Sequence, residues 1–148
     1  MTDHPISTTY LDQQQARVSA ALPAAGAWDP APIEMPCAGF KDVMLYFSYT
    51  RGAAGGDFQF RVDVSPDSAG AVWHQGTIYD AGAVASGADT LSNVQREEIE
   101  YGSTGAAIER FAYGPISVEA TVERIRVPAQ ESGVVLTPGT LEIEARFS

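Results

Sequence analysis

Two histidines, His4 and His74, are the only imidazole side chains in the sequence, and imidazole is the usual general base of a hydrolytic triad. A triad also needs a nucleophile and an orienting acid within hydrogen-bonding reach. His4 lies in a polar N-terminal stretch, His74 follows Trp73 on a predicted strand, and no Gly-x-Ser-x-Gly motif accompanies either. We therefore expect His74 to be a surface or partly buried imidazole bonded to a neighbour. A hydrolase would require His74 to face two carboxylates in a pocket.

Carboxylates are abundant, with 19 Asp and Glu residues, and a glycosidase uses two of them at a set separation. The closest acids along predicted strands are expected to form a solvated outer face: Glu97, Glu98 and Glu100, and Glu142 and Glu144. Calcium needs several hard oxygen ligands. The acids in or next to predicted loops are Asp63, Asp67, Asp80 and Asp89. They do not form the twelve-residue EF-hand pattern, so we expect no catalytic pair, no bound metal and no cofactor.

Three further features have both a structural and a functional interpretation. Cys37 is the single cysteine, which excludes an internal disulfide and favours an inert buried thiol. The glycine-rich segment 52–56 lacks the Gly-Lys-Ser/Thr ending of a phosphate loop and is expected to be a hairpin tip. Aromatic rings favour the core of a small β-sandwich, although on one face they could form a sugar-stacking platform: Trp28, Trp73, Tyr79, Tyr101 and Tyr113.

The acidic balance of the chain excludes one class of partner. Nine Lys and Arg oppose 19 Asp and Glu, so the formal net charge is −10. Nucleic-acid binding depends mainly on cations that neutralise phosphates, and no basic segment could do so here. The first fifteen residues lack the basic start and apolar stretch of a secretory signal, and no run of about eighteen apolar residues could span a membrane. We expect a soluble protein that binds neither nucleic acid nor membrane.

The length of the chain and the spacing of its Gly and Pro residues predict the fold. The chain has 148 residues, of which 45% are hydrophobic, and one domain of this size buries roughly two-thirds of its unfolded surface. Short alternating segments are separated by Gly and Pro throughout. The predicted strands are residues 16–22, 42–50, 58–65, 71–79, 91–101, 107–113, 116–127 and 141–147. We predict an all-β antiparallel two-sheet β-sandwich of the jelly-roll type, with an N-terminal arm over residues 1–15 and a single domain over residues 16–148.

The alternation also predicts which side chains face the core. In the first strand one face carries Ala16, Val18, Ala20 and Leu22, and the other carries Arg17, Ser19 and Ala21. In the last strand Leu141, Ile143, Ala145 and Phe147 alternate with Glu142, Glu144 and Arg146. Such alternation is typical of an antiparallel sheet with one wet face.

Segments 42–50 and 58–65 both alternate and are joined by a loop with three glycines, which predicts an antiparallel hairpin. In the second segment Gln59, Arg61 and Asp63 are predicted to face away from the core. In segment 116–127 the apolar phase reverses near Glu123 and Arg124. A reversal of phase predicts a β-bulge or a switch between sheets at that point.

Two stretches resemble a known family. Residues 39–56 (GFKDVMLYFSYTRGAAGG) and residues 122–133 (VERIRVPAQESG), with residues 137–141 (TPGTL), resemble the jelly-roll auxiliary capsid proteins of tailed bacteriophages, also called decoration or cement proteins. The resemblance implies a non-enzymatic structural protein of the virion, made in the host cytoplasm. It would bind the major capsid protein on the outer capsid surface, as a homotrimer, and stabilise the shell.

The resemblance gives the polar N-terminal arm a role. Its spaced apolar anchors, Ile6, Tyr10 and Leu11, would lie across a neighbouring subunit and add a strand to the edge of its sheet. The alternative function is a carbohydrate- or receptor-binding β-sandwich module of a phage tail or fibre. In that case exposed aromatic rings and loop carboxylates would carry recognition.

Overall fold

The computed structural model describes residues 11–52, 56–83, 96–102, 107–118, 121–133 and 135–148. The eleven elements with assigned bounds in those ranges are all β-strands, as the sequence predicts. The strands are β1 Gln13–Ala21, β2 Met35–Pro36, β3 Asp42–Thr50, β4 Phe58–Arg61, β5 Asp63–Ser65, β6 Ile78–Ala83, β7 Arg96–Tyr101, β8 Glu109–Ser117, β9 Arg124–Arg126, β10 Ala129–Glu131 and β11 Thr140–Phe147.

The strands form two four-stranded sheets and one small sheet. The first sheet has the order β1-β11-β3-β8, the second β10-β4-β6-β7 and the third β2-β9-β5. All pairings are antiparallel except β6 with β7, which is parallel. The ring of Phe47 in β3 lies 4.8 Å from that of Phe60 and 5.7 Å from that of Phe58, both in β4. The first two sheets therefore pack face to face, as in a β-sandwich, while the jelly-roll connectivity stays a prediction.

The predicted hairpin between residues 42–50 and 58–65 is wrong. Strand β3 pairs with β11 and β8, and β4 pairs with β10 and β6. Both edges of β3 are thus occupied, and the glycine-rich loop crosses from one sheet to the other. Gly52 is required at this crossing, because a Cβ there would collide with the carbonyl oxygens of Thr137 and Pro138.

The first strand begins earlier and alternates less than predicted. Strand β1 starts at Gln13, inside the range predicted as the arm, and its pairing with β11 slips on both sides of Arg17. These irregularities rotate the strand, so that Arg17 is buried and Val18 is 59% exposed. The predicted facing of Arg17, Val18 and Ala20, which is also exposed, is therefore wrong, whereas Ala16 and Leu22 are buried as expected.

Other predicted strands also have different bounds, and the strand predicted over residues 58–65 is divided into β4 and β5, which lie in different sheets. The strand predicted over residues 71–79 begins only at Ile78, and β7 covers the last six residues of predicted segment 91–101, whose first five lie outside the described residues. Strand β8 runs without a break through Gly114 and Pro115, where we predicted a boundary. The extra residue is accommodated as a bulge opposite Val43 and Leu45, with Gly114 at a φ of +139°.

The prediction of one strand over residues 116–127 is wrong, because β8 ends at Ser117 and residues 121–123 belong to no strand, but a change of sheet does occur before Arg124. Strand β8 belongs to the first sheet, whereas β9, which begins at Arg124, belongs to the small third sheet. The last strand is also confirmed, because Leu141, Ile143 and Phe147 are buried there.

Both faces of β4 and β5 are covered, which corrects the prediction that alternate residues face solvent. Gln59 and Arg61 are buried, and Asp63 is 0% exposed. Asp63 accepts hydrogen bonds from Arg61 Nε at 2.8 Å and from Arg126 Nε at 3.1 Å. The Arg61 guanidinium lies 4.6 Å from the ring centre of Trp28, and that of Arg126 lies 4.3 Å from Trp73. Polar side chains are retained on this buried face because each has a partner.

Replacement of Phe47 by Ala should lower the free energy of unfolding by about 3–5 kcal/mol, because it leaves a cavity between the two large sheets. Urea unfolding followed by circular dichroism measures the change. The matched control is Tyr46→Ala, which truncates an exposed aromatic residue of the same strand and should cost at most about 1 kcal/mol. Equal losses in the two variants would contradict the two-sheet core.

Candidate interaction surface

Strand β1 forms an open edge of the first sheet. Within the described residues it pairs with β11 alone, so one side of its backbone is available to another strand. Its exposed side chains carry no charge, since the one charged residue of β1, Arg17, is buried. An exposed strand edge without charges is a ready template for strand addition.

A groove of about 390 Å³ lies beside this edge. Its two walls are β1 with the two residues that follow it, and the proline-rich segment 29–33. Val18 and Ile33 are exposed apolar residues of these walls. The lining residues are mostly small or apolar: Ala16, Arg17, Val18, Ala20, Ala21, Leu22, Pro23, Asp29, Pro30, Ala31, Pro32 and Ile33. The groove therefore suits an extended segment with apolar side chains.

The charged residues of the groove neutralise each other. Arg17 Nε lies 2.9 Å from Asp29 Oδ2, and Arg17 Nη2 lies 3.1 Å from Asp29 Oδ1. The remaining donors of the guanidinium bind the backbone carbonyls of Ala20, Ala21 and Leu141. All five N–H groups of an arginine are thus used, and the irregular pairing of β1 is stabilised by the same side chain.

The Arg17–Asp29 pair was missed by the sequence interpretation, although the sequence contains a signal for it. Between residues 13 and 33 these are the only two charged residues, and they have opposite signs. The alternation of β1 placed Arg17 in solvent, because alternation assumes a regular strand. Two lone, opposite charges in an otherwise neutral stretch could have indicated a buried pair.

Of the three predicted anchor residues, Leu11 is described, and Ile6 and Tyr10 lie outside the described residues. Leu11 is 46% exposed and lies two residues before the start of β1. Gln14 fixes this entry, because its side-chain amide donates to the carbonyls of Leu11 at 2.7 Å and Pro36 at 2.8 Å. The docking role of Leu11 and of the arm stays a prediction.

His74 is exposed and lines neither the groove nor a smaller cavity of about 140 Å³ between residues 24–25 and Pro138. Its backbone pairs with Val64 in an isolated bridge. Among the residues that the structure describes, no group of three or more His, Cys, Asp or Glu side chains could hold a metal ion. The condition set for a hydrolase, two carboxylates around His74 in a pocket, is thus not met by these cavities.

The acids considered for calcium are used separately. Asp63 forms ion pairs with Arg61 and Arg126. Asp67 accepts hydrogen bonds from the backbone amides of Ala69 and Ala71, and these bonds lower the pKa of its carboxyl. Asp80 accepts a hydrogen bond from Gln59, and Asp89 lies outside the described residues.

The two groups of strand acids lie far apart in the topology. Glu97, Glu98 and Glu100 are on β7, an edge of the second sheet, and Glu142 and Glu144 are on β11 of the first sheet. Glu144 pairs with exposed Arg146 at 2.6 Å, and Glu97 accepts a hydrogen bond from the Tyr113 hydroxyl at 2.6 Å. That bond and burial together raise the pKa of the Tyr113 hydroxyl.

The five aromatic residues considered for a sugar platform do not form one surface. Tyr101 is buried and stacks on Phe111, with 4.4 Å between ring centres, and Tyr79 stacks on Phe60 at 4.9 Å. Trp28 and Trp73 are half-buried, and each has an arginine on a ring face. These rings are mainly used in packing.

Cys37 is a free, buried cysteine, in line with the sequence interpretation. Burial, together with the nearby charge of Glu123, raises the pKa of the Cys37 thiol to about 11. The Sγ atom lies 3.7 Å from the carbonyl oxygen of Val122. The thiolate, which is the reactive form, is therefore scarce at neutral pH.

Comparison with known proteins adds no relative: no family model, no curated protein and no solved structure matches this chain. In the described part of the chain, no helix has the length and apolar character needed to cross a membrane.

Replacement of Arg17 by Lys should lower the free energy of unfolding by about 2–4 kcal/mol, because a lysine keeps the charge but cannot reproduce five directed N–H bonds. Thermal and urea unfolding measure the change. Arg146→Lys alters an exposed ion pair and should cost less than about 1 kcal/mol. If Arg17→Lys lowered the free energy of unfolding no more than this control does, the guanidinium would not stabilise the walls of the groove.

Cys37 should react slowly with iodoacetamide at about pH 8, because the thiol is protonated well above the usual pKa of about 8.5. The reaction, followed by mass spectrometry, should accelerate as the pH rises towards the thiol pKa. The same protein unfolded in urea provides the control and should react rapidly. Equal rates for folded and unfolded protein at about pH 8 would contradict the burial of the thiol.

Proposed function

We propose that this chain is a non-enzymatic structural protein that binds the outside of a bacteriophage capsid and stabilises it as a homotrimer. In this proposal the N-terminal segment of one copy docks in the groove beside β1 of a neighbouring copy. The major capsid protein is the partner beneath the assembly. The observation that carries the proposal is the uncharged open edge of β1 with its apolar groove.

Charge supports a neighbouring copy as the occupant. Residues 5–11 (PISTTYL) contain no charged side chain, in a chain with a net charge of −10. Copies with this charge repel one another, so they associate best where both surfaces are neutral. The groove meets this condition, because Arg17 and Asp29, one from each wall, neutralise each other.

Reach supports the same occupant. The segment joins the described part of the chain at Leu11, two residues before β1, and residues 1–10 could span roughly 33 Å if fully extended. That length is enough to cross to an adjacent subunit. The apolar anchors Ile6 and Tyr10 would fill the groove while the backbone pairs with β1.

The distribution of acids supports an external location. On β11 the acidic residues Glu142 and Glu144 alternate with buried Leu141 and Ile143. An acidic exterior keeps particles apart and soluble, and it is compatible with a position on the side of the shell away from the packaged genome.

The first test removes residues 2–10. Light scattering after size exclusion should give three chains per particle for the full-length protein and one for the shortened protein, and binding to purified capsid shells should fall. Circular dichroism should show an intact β domain in both. Unchanged occupancy of the shells by the shortened protein would refute the role of the arm.

A point substitution tests the groove itself. Val18→Asp adds a charge to the groove wall and should reduce both trimer formation and shell binding, because an acid there faces a neutral partner segment. The matched control is Val72→Asp, since Val72 is 53% exposed and lies outside the groove. Equal effects of the two substitutions would contradict docking at β1. A monomeric full-length protein would contradict docking of the arm between copies.

A further inference from the structure

Two arginines and one aspartate form an ion-pair cluster at the small third sheet. Asp63 of β5 is fully buried, and in the pairing of β5 with β9 it lies opposite Arg126. Its Oδ1 accepts a hydrogen bond from Arg61 Nε at 2.8 Å, and its Oδ2 accepts bonds from Arg126 Nε at 3.1 Å and Arg61 Nη2 at 3.3 Å. The Gly76 amide donates a fourth bond at 3.4 Å. A carboxylate has about four acceptor positions, so Asp63 is fully used within the protein.

The cluster has an excess of positive charge, because two guanidinium groups share one carboxylate and both stay protonated. Among the described residues, Asp63 is the acid with which they form ion pairs. The acids nearby lie beside Arg124 instead. Arg124 lowers the pKa of the Asp67 carboxyl, and a Cβ at Gly70 would touch both the Glu34 carboxylate and the Cδ of Arg124. One positive charge of the cluster is therefore left without an acid of its own in this part of the structure.

Arg126 presents free hydrogen-bond donors at the surface. Its Nε is bonded to Asp63, whereas its Nη1 and Nη2 have no hydrogen-bond partner in the ranges that the structure describes. Neither nitrogen is among the buried polar atoms that lack a partner, so both are accessible to solvent. The side chain of Arg126 is 24% exposed, compared with 11% for Arg61. The two terminal nitrogens of an arginine form a fork that binds a carboxylate through two parallel hydrogen bonds.

Both tryptophans of the chain lie on this cluster. The guanidinium of Arg61 lies 4.6 Å from the ring centre of Trp28, and that of Arg126 lies 4.3 Å from the ring centre of Trp73. The Trp73 ring is itself fixed, because its Nε1 donates to the carbonyl of Gly70 at 2.9 Å. A guanidinium held on an indole face and bonded through Nε is preorganised for a ligand. The half-buried indole also presents apolar surface beside the fork.

We propose that Arg126 and Trp73 bind a monocarboxylate with a flat or apolar carbon body. The carboxylate accepts hydrogen bonds from Nη1 and Nη2 of Arg126, and the body contacts the accessible part of the Trp73 ring. A single negative charge matches the single excess charge of the cluster, whereas a dianion such as phosphate adds a further charge to a chain that already has −10. A free organic acid and an acidic side chain of a partner share this chemistry. Neither residue lines the groove beside β1, so the site is independent of the proposed capsid role.

Tryptophan fluorescence reports on this site directly, because the chain has two tryptophans and both lie on the cluster. The probe is sodium benzoate, titrated into the full-length protein at about pH 7, where carboxylates are ionised. Benzamide has the same shape without the charge, and sodium chloride controls for ionic strength. We expect a saturable change in fluorescence and a raised melting temperature with benzoate, beyond both controls. A response to benzoate no larger than that to benzamide or sodium chloride overturns the proposal.

Two further titrations define the class of ligand. Sodium phosphate tests a tetrahedral dianion, and phosphate binding tighter than benzoate binding overturns the assignment of a monocarboxylate. Nα-acetyl-glutamate amide presents the carboxylate on a peptide side chain. Binding of both benzoate and this compound supports a partner's acidic side chain as the ligand, and binding of benzoate alone supports a free organic acid.

Substitution of Arg126 by Lys keeps a positive charge beside Asp63 but removes the fork of two nitrogens. It should weaken benzoate binding by at least about fivefold, because a lysine cannot form two parallel hydrogen bonds with one carboxylate. The matched control, Arg146→Lys, makes the same change at an exposed position of β11 and should leave the affinity unchanged. An affinity of Arg126→Lys equal to that of the wild type overturns the proposal.

The two tryptophans locate the bound ligand. The fluorescence response to benzoate should persist in Trp28→Phe and disappear in Trp73→Phe, because Trp73 lies on Arg126. Circular dichroism checks that each variant is folded. A response that survives Trp73→Phe overturns the assignment to Arg126. The comparison of benzoate with benzamide uses the wild type, so it decides the proposal even if a variant does not fold.

Discussion

Packing of aromatic rings between the two large sheets is the constraint on which the rest of the fold depends. Phe47 of β3 contacts Phe58 and Phe60 of β4, and Phe111 of β8 stacks beside it at 4.8 Å. Since β3 and β4 both direct rings into this layer, burying them requires the two strands to lie on opposite sides of it. The loop between them must then cross the layer, and the edges of β3 become available to β8 and β11. Strands distant in sequence thereby become neighbours.

The proline-rich segment after β1 closes the sandwich by linking both large sheets. Asp29 accepts hydrogen bonds from Arg17 in the first sheet and from the Ala129 amide in the second. Trp28 covers Arg61, and the Gly26 amide donates to Gln130. Prolines prevent this segment from forming a regular ladder of its own, so its polar groups are satisfied by side chains and strand edges. The same segment forms one wall of the groove beside β1, and its first part borders the smaller cavity.

The sequence correctly predicted burial in strands whose own alternation of apolar and polar residues determines which side chains face the core. The alternation in β3 and β11 correctly placed Val43, Leu45 and Ile143 in the core, because one face of each strand meets the core. It failed for Arg61 and Asp63, since a period of two cannot show that a distant segment covers the outer face. It failed for Arg17 because irregular pairing changes the facing of a strand. At the candidate surface the role of the arm anchors stays a prediction, and the groove could not be predicted because it depends on residues 16–33 meeting in three dimensions.

The strand edges of the two large sheets differ in a way that bears on assembly. Among the described strands, β8 is interrupted by a bulge at Gly114 and carries exposed Arg110 and Pro115, and β7 carries the exposed acids Glu97 and Glu100. Strand β10 is only three residues long. Charge, proline, bulges and short length are the features by which proteins prevent unwanted strand pairing. Strand β1 is nine residues long and has exposed Gln, Ser, Ala and Val side chains. Its irregular pairing is with β11. The charged residue of β1, Arg17, is buried, so no exposed charge of this strand would repel an added strand. Under the proposed function, this edge is the one that the arm of a neighbouring copy would cover.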